Sequence, residues 1–207
     1  MTLAIGVLVS GKGTNLEAIL NASKGNNLGG AEVKVVISNK ADAQALERAR
    51  IHKVKAVLID DSKWKEKNEE YEKLLYDCLS RHGVTKDEGL VILAGFMKIL
   101  SPWIIRRFEG RIMNIHPSLL PSFPGLEAQK KALDHGVKVT GCTVHFVTAE
   151  VDAGPIILQS AVNINEDDTV ATLSEKILHN EHSIYPEAIR LFAEGRIKID
   201  RGKANSI

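Results

Sequence analysis

The feature that most limits what this chain can fold into is a rhythm. Short runs of β-branched and aliphatic residues, at 4–9, 33–37, 56–59, 90–94, 112–116, 142–147 and 155–162, alternate with longer amphipathic stretches at 15–22, 43–52, 63–81, 126–135 and 170–194. Strands separated by helix-length segments cannot pair as hairpins and must cross over, so the pattern predicts βαβ units around a mostly parallel sheet. The first five runs are almost wholly apolar, as strands are when helices cover both faces. The last two mix polar and apolar residues, which predicts a mixed C-terminal part of the sheet. The expected fold is therefore α/β, a doubly wound, mostly parallel sheet in a single domain.

Within the last amphipathic stretch Leu173, Ile177, Ile184, Ala188 and Leu191 keep helical spacing, with Asp168 or Thr169 as its cap. Pro186 is expected to start a new helix there or to kink this one. The stretch 62–81 is rich in Lys and Glu and carries Tyr71, Leu74, Leu75 and Cys78 on one stripe, which fits a solvated helix better than a docking face.

Charge narrows the function. The 207 residues carry 27 basic against 26 acidic side chains, so no broad electrostatic attraction to nucleic acid or to an anionic membrane is expected. The first residues hold no basic leader and no run long enough to span a bilayer. Two cysteines, Cys78 and Cys142, form neither a disulfide framework nor a CxxC metal site, which predicts a reducing, cytoplasmic compartment and no metal. His179 and His182 lack the partners of a zinc set.

The segment Ser10-Gly-Lys-Gly-Thr-Asn15 follows the first strand and opens a helix. Backbone N–H groups and the positive end of the helix converge there, which suits a phosphate, although a glycine-rich turn with nothing bound has the same sequence. It is not a dinucleotide fingerprint, because Leu16 stands at the third glycine position and the second strand ends at Ser38-Asn39 without an acidic residue. Nor is it a Walker loop. One small phosphomonoester fits better, with the Thr14 hydroxyl and the Asn15 amide as extra donors.

The run Arg111-Ile-Met-Asn-Ile-His-Pro117 sets two polar residues in an apolar strand. Residues two apart on a strand share a face, so Asn114 and His116 point the same way, and the end of a parallel strand is where open α/β sheets place their ligands. A lone histidine in such a run is more often structural. With an amide beside it, the pair can meet a developing oxyanion and relay a proton, as acyl transfer requires. Asp152, in the polar turn Thr148-Ala-Glu-Val-Asp152, is the candidate third group; it is equally at home as a turn-forming aspartate. Cys142 and His145, three apart, face opposite sides of a regular strand and make no nucleophile–base pair.

These residues resemble the phosphoribosylglycinamide formyltransferases, folate-dependent enzymes of purine synthesis within the wider formyltransferase family. The likeness runs through Ser10-Gly-Lys-Gly-Thr-Asn15, Ser38-Asn-Lys-Ala-Asp42, Leu93-Ala-Gly-Phe-Met-Lys-Ile-Leu-Ser101, Asn114-Ile-His-Pro-Ser-Leu-Leu-Pro121 and Val151-Asp-Ala-Gly-Pro155. It implies a Rossmann-like fold across 1–207, with a phosphate-binding half at about 1–100 and a catalytic and folate-binding half at about 101–200. It implies that Gly13, Thr14 and Asn15 hold the phosphate of glycinamide ribonucleotide and that Glu181 meets its ribose. It implies that Asn114, His116 and Asp152 are catalytic. The co-substrate 10-formyltetrahydrofolate would lie against Met97, Lys98, Ile99, Leu100, Asn114, Thr148, Ala149, Glu150, Val151 and Asp152. The implied partners are these two small molecules, with no nucleic acid, membrane or metal, in a monomer or homodimer. Departures from the family pattern are Thr14 for serine, Lys98 for arginine, Glu127 for histidine and Asn68 near a frequent arginine. Two related activities share the triad, transfer of the formyl group to water or to a charged tRNA; both relatives usually carry a further domain, for which this chain leaves no room. A binding module without catalysis is the non-enzymatic alternative.

Overall fold

The computed structural model describes residues 2–64 and 69–206. Seven strands form one sheet in the order β3-β2-β1-β4-β5-β6-β7. Strands β1 (Ala4–Val9), β2 (Glu32–Ser38), β3 (Lys55–Leu58), β4 (Gly89–Leu93) and β5 (Ile112–His116) run parallel. Strands β6 (Val139–Phe146) and β7 (Ile156–Asn163) are antiparallel additions, so the sheet is mostly parallel with a mixed C-terminal part.

Period-2 alternation sorts the strand residues into two cores. From β1, Ile5, Val7 and Val9 enter one core with Leu16, Ile19 and Leu20 of α1 (Thr14–Lys24), Ala45 and Ala49 of α2 (Gln44–Ile51), and Leu173, Ile177 and Tyr185 of α6 (Val170–Ala193). Ala4 and Leu8 enter the other, with Tyr71, Leu75 and Leu79 of α3 (Glu69–Arg81) and Ile104 and Ile105 of α4 (Pro102–Arg107). Helices therefore cover both faces, and the near-continuous apolar strands follow from that.

Several local expectations change. Helix α6 runs through Pro186 without a second helix starting there, capped by Thr169 in a reciprocal pair with Thr172. Of the expected helix at 63–81, the helical part among described residues is Glu69–Arg81, and 65–68, with Asn68, lie outside them. Helix α4 was not expected, yet Ser101-Pro102 is a start signal: the Ser101 hydroxyl accepts from the Trp103 amide at 3.1 Å and Pro102 needs no partner in the first turn. The expected helix at 126–135 is α5 (Ala128–Asp134), and a small hairpin, β8 (Ile197–Asp200) and β9 (Lys203–Ser206), ends the described chain. No helix among the described residues is long and apolar enough to cross a membrane.

The chain reverses direction across the sheet between β1 and β4, so the loops leaving their carboxyl ends diverge and open a crevice. Into that crevice project the segment after β1, the segment after β4 and the end of β5.

Candidate active site

The glycine loop after β1 is pinned on three sides. The Ser10 amide donates to the Gly95 carbonyl at 3.1 Å, and its hydroxyl accepts from the Met97 amide at 2.8 Å while donating to Asn39 Oδ1 at 2.6 Å. Gly13 sits at φ 73° as the cap of α1, and a Cβ there would lie 2.7 Å from the Ala45 Cβ, so the tight turn and the seat of α2 both demand glycine. Thr14 and Asn15 open α1 at its positive end.

Asn15 reaches across to α6, where its Nδ2 donates to Glu181 Oε2 at 2.7 Å. Glu181 belongs to the buried stripe Leu173, Ile177, Glu181, Tyr185, whose i, i+4 spacing turns a carboxyl toward the core. Burial pushes its pKa up, with the Asn15 hydrogen bond opposing. Asn15 Oδ1 is buried and finds no donor among the described residues. One turn on, the Tyr185 hydroxyl lies 2.9 Å from the Leu93 carbonyl and 3.0 Å from that of Met113, tying α6 to the end of β4 and to the first half of β5.

Asn114 and His116 do share a face of β5 at its carboxyl end, opposite His145 and Thr143 of β6. His116 Nε2 donates to the Phe123 carbonyl at 2.9 Å, and Nδ1 faces Asp152 Oδ2 at 3.3 Å. The same Oδ2 accepts from the Gly125 amide at 2.8 Å. The proline-rich loop thus holds the pair by its backbone, from the Phe123 carbonyl on one side and the Gly125 amide on the other. That loop is anchored in turn by the Thr143 hydroxyl, which donates to the Ser118 carbonyl at 2.7 Å and accepts from the Leu120 amide at 3.0 Å. Asp152 sits at φ 53°, an unusual backbone for a non-glycine residue and common where a loop must aim a functional side chain. Gly154 lets that loop return, because a Cβ there would lie 1.8 Å from the Phe146 carbonyl oxygen.

His145 was missed by the sequence reasoning, which weighed it only against Cys142. Its Nδ1 lies 3.0 Å from the Phe146 carbonyl and so carries the proton, leaving Nε2 as an acceptor 3.2 Å from Asn114 Nδ2. Burial, opposed by the Phe146 carbonyl and Asp152, pushes its pKa down. The 3.7 Å approach of Asp152 Oδ1 to Nε2 is therefore not an ion pair. The neutral ring fixes the Asn114 amide with nitrogen toward His145, leaving its second N–H for another acceptor. Cross-strand register, which no single-strand pattern displays, is what makes them neighbours. Cys142, on the same strand, is buried, and its thiol is pushed up to about 12 by that burial.

The segment after β4 presents Met97 and Ile99 to solvent, 73% and 41% exposed, and the loop after β6 presents Val151 at 52%. Between them Lys98 turns inward, its ammonium 3.5 Å from Asp61 Oδ2 and 5.0 Å from the Tyr71 ring centroid, and the Leu100 side chain lies in the core. Lys98 and Leu100 thus offer the crevice backbone rather than exposed side chains. Thr148 and Glu150 are joined by a hydroxyl-to-carbonyl bond of 3.2 Å within their loop, and Ala149 lies between them. Glu127, at φ 58°, caps α5 without a side-chain hydrogen bond to it. Among the described residues no group of three or more His, Cys, Asp or Glu could hold a metal ion.

Residues 3–189 match the family model described as Formyl transferase. The chain belongs to the formyl transferase family. It is 42% identical over 198 residues to phosphoribosylglycinamide formyltransferase of Escherichia coli strain K12, covering 96% of this chain and 91% of that protein. It is 44% identical over 203 residues to the trifunctional purine biosynthetic protein adenosine-3 of Gallus gallus, where the match takes in 98% of this chain but only 19% of the longer protein's length. Among solved structures it resembles glycinamide ribonucleotide transformylase 1 from Symbiobacterium toebii, at 51% identity and a TM-score of 0.94, over 100% of this chain and 94% of that one. Formyl transferase membership and the α/β fold agree with the sequence-based expectation.

Proposed function

We propose that this formyl transferase moves a formyl group from 10-formyltetrahydrofolate to the primary amine of glycinamide ribonucleotide, a step of purine synthesis in the cytoplasm. The observation that carries the reading is the convergence of an amide, an imidazole and a carboxylate at the carboxyl end of β5, in the same crevice as a glycine loop at a helix N-terminus. The names and near full-length similarity of the Escherichia coli and Symbiobacterium toebii proteins support it.

Gly13, Thr14 and Asn15 take the substrate phosphate at the positive end of α1. The buried, unmatched Asn15 Oδ1 and the Glu181 carboxyl receive donors from the ribose part. Met97, Ile99 and Val151 supply exposed apolar surface for a flat ring system, with the backbone of Lys98 and Leu100 and of the turn at Thr148, Ala149 and Glu150 at its polar edge.

When the amine attacks, its nitrogen bonds to the formyl carbon and negative charge collects on the formyl oxygen; collapse then breaks the bond from that carbon to folate N10, and the proton the amine loses passes to the departing nitrogen. The free N–H of Asn114 meets that charge, already oriented by neutral His145. His116 serves as the second donor and proton carrier. Its Nε2–H rests on the Phe123 carbonyl and must exchange that oxygen for the substrate's, while Asp152 across Nδ1 supports the ring whenever it carries charge. Nothing in this scheme calls for a covalent enzyme intermediate or a metal ion.

The competing reading gives the formyl group to water. The protein is incubated with 10-formyltetrahydrofolate, with and without glycinamide ribonucleotide, and folate deformylation is followed. Transfer that requires the amine is expected. Release without it would replace the transferase with a hydrolase, and inertness in both would leave a binding module.

A further inference from the structure

We infer that Arg48, on α2 and outside the residues expected to touch substrate, is a positioning residue that holds the glycine loop in its phosphate-binding form. Its guanidinium forks between two parts of the loop-and-helix unit: Nε donates to the Lys12 carbonyl at 2.9 Å and Nη1 donates to Glu17 Oε2 at 3.0 Å. Glu17 is held from its other side by His52, whose Nε2 lies 2.9 Å from Oε1. That hydrogen bond, with burial opposing and Arg48 assisting, keeps the Glu17 carboxyl below the usual carboxylate range and hence an anion opposite the guanidinium. One turn before Arg48, the Ala45 amide donates to the Gly11 carbonyl at 3.1 Å.

Two successive loop carbonyls, Gly11 and Lys12, are thus drawn toward α2. In a planar trans peptide the N–H of the next residue points opposite to the carbonyl, so the N–H groups of Lys12 and Gly13 are turned away from α2. These donors, and not a side chain, make an anion cradle of a glycine loop. Without Arg48 the Lys12–Gly13 peptide is free to rotate about the Lys12 and Gly13 Cα atoms, and the Gly13 donor turns away. A lysine at 48 cannot replace it, because a single ammonium lacks the planar fork that spans a carbonyl and a carboxylate at once.

The inference rests on the transferase reading, and the test separates the two. Wild type and Arg48→Met are compared with glycinamide ribonucleotide and with its dephosphorylated ribonucleoside, at saturating 10-formyltetrahydrofolate, alongside inhibition by inorganic phosphate. Losing a charge-assisted hydrogen bond that shapes the cradle should raise KM for the ribonucleotide and the inhibition constant of phosphate by roughly tenfold. The kcat, the folate KM and the kcat/KM for the ribonucleoside should stay within about twofold, since hydrogen bonds made elsewhere are untouched. Arg48→Lys should show the same selective loss. Equal loss on both substrates, no loss on either, or full recovery with lysine overturns the inference, whereas a wild type that formylates neither overturns the transferase reading instead. If Arg48→Met does not fold, Glu17→Gln decides: a rise of about threefold in KM confined to the phosphorylated substrate is expected from loss of a half-exposed charge partner, and none is contrary.

Discussion

Replacing Asp152 by asparagine removes a charge while leaving the geometry almost untouched. The Gly125 amide requires an acceptor at the Oδ2 position, so the asparagine oxygen takes that place and still faces His116 Nδ1. The amide nitrogen then falls where Oδ1 was, 3.7 Å from His145 Nε2, an unprotonated nitrogen that already accepts from Asn114. What is lost is the attraction between a carboxylate and a charged imidazole 3.3 Å apart, with side chains only 10% and 7% exposed. At an effective dielectric constant of about 20 that attraction is about 5 kcal/mol. The amide dipole retains part of it, leaving about 3–4 kcal/mol, and each 1.4 kcal/mol is tenfold in rate. Turnover should therefore fall by about a hundredfold to somewhat under a thousandfold. Steady-state formyl transfer at saturating substrates, with circular dichroism to verify folding, measures it. A loss below about tenfold in a folded variant would show that the carboxylate does not support the imidazolium, and the charge argument would fail.

Other outcomes follow from the same geometry. Glu181 is a carboxyl whose folded pKa lies above its ordinary value of 4.5, so the native state holds the extra proton and stability declines as pH rises from 4.5 through the raised value. Glu181→Gln should abolish that decline in thermal melts across pH and raise Tm at neutral pH, while KM for glycinamide ribonucleotide rises by roughly tenfold. His145 has the opposite sign: its folded pKa lies below 6.5, the unfolded chain protonates first, and stability falls as pH drops below 6.5. His145→Phe should flatten that acid-side loss and, by releasing the Asn114 amide, lower kcat by about tenfold. Gly13→Ala places a Cβ against Ala45 at a φ of 73° and should cost about 1–3 kcal/mol, read as a lower denaturation midpoint with an unchanged m-value.

The alternation of apolar runs and amphipathic stretches was enough to read the parallel half of the sheet, because strands sandwiched between helix layers leave an unmistakable apolar signature. Helix α4 was passed over because it is six residues long, too short for periodicity to register, although its Ser101-Pro102 start signal was present. At Pro186 no new helix starts, since the packing of α6 along its length outweighs a proline's preference to break a helix. In the site, the pairing of Asn114 with His116 was legible from strand alternation, whereas Glu181 was reached only through the family resemblance. His145 and Arg48 were not legible. The first joins the site through antiparallel register with β5, and the second through a side chain reaching from α2 to a loop 36 residues earlier. Neither relation is encoded in a local window.

The central claim is that donors fixed at the end of β5 meet charge forming on a carbonyl oxygen. Its most direct test is turnover by His116→Ala at saturating glycinamide ribonucleotide, set beside its affinity for the folate. The account predicts a fall of at least about a hundredfold in turnover, with folate affinity within about threefold of wild type. Undiminished turnover, or a loss explained entirely by weakened folate binding, would contradict it.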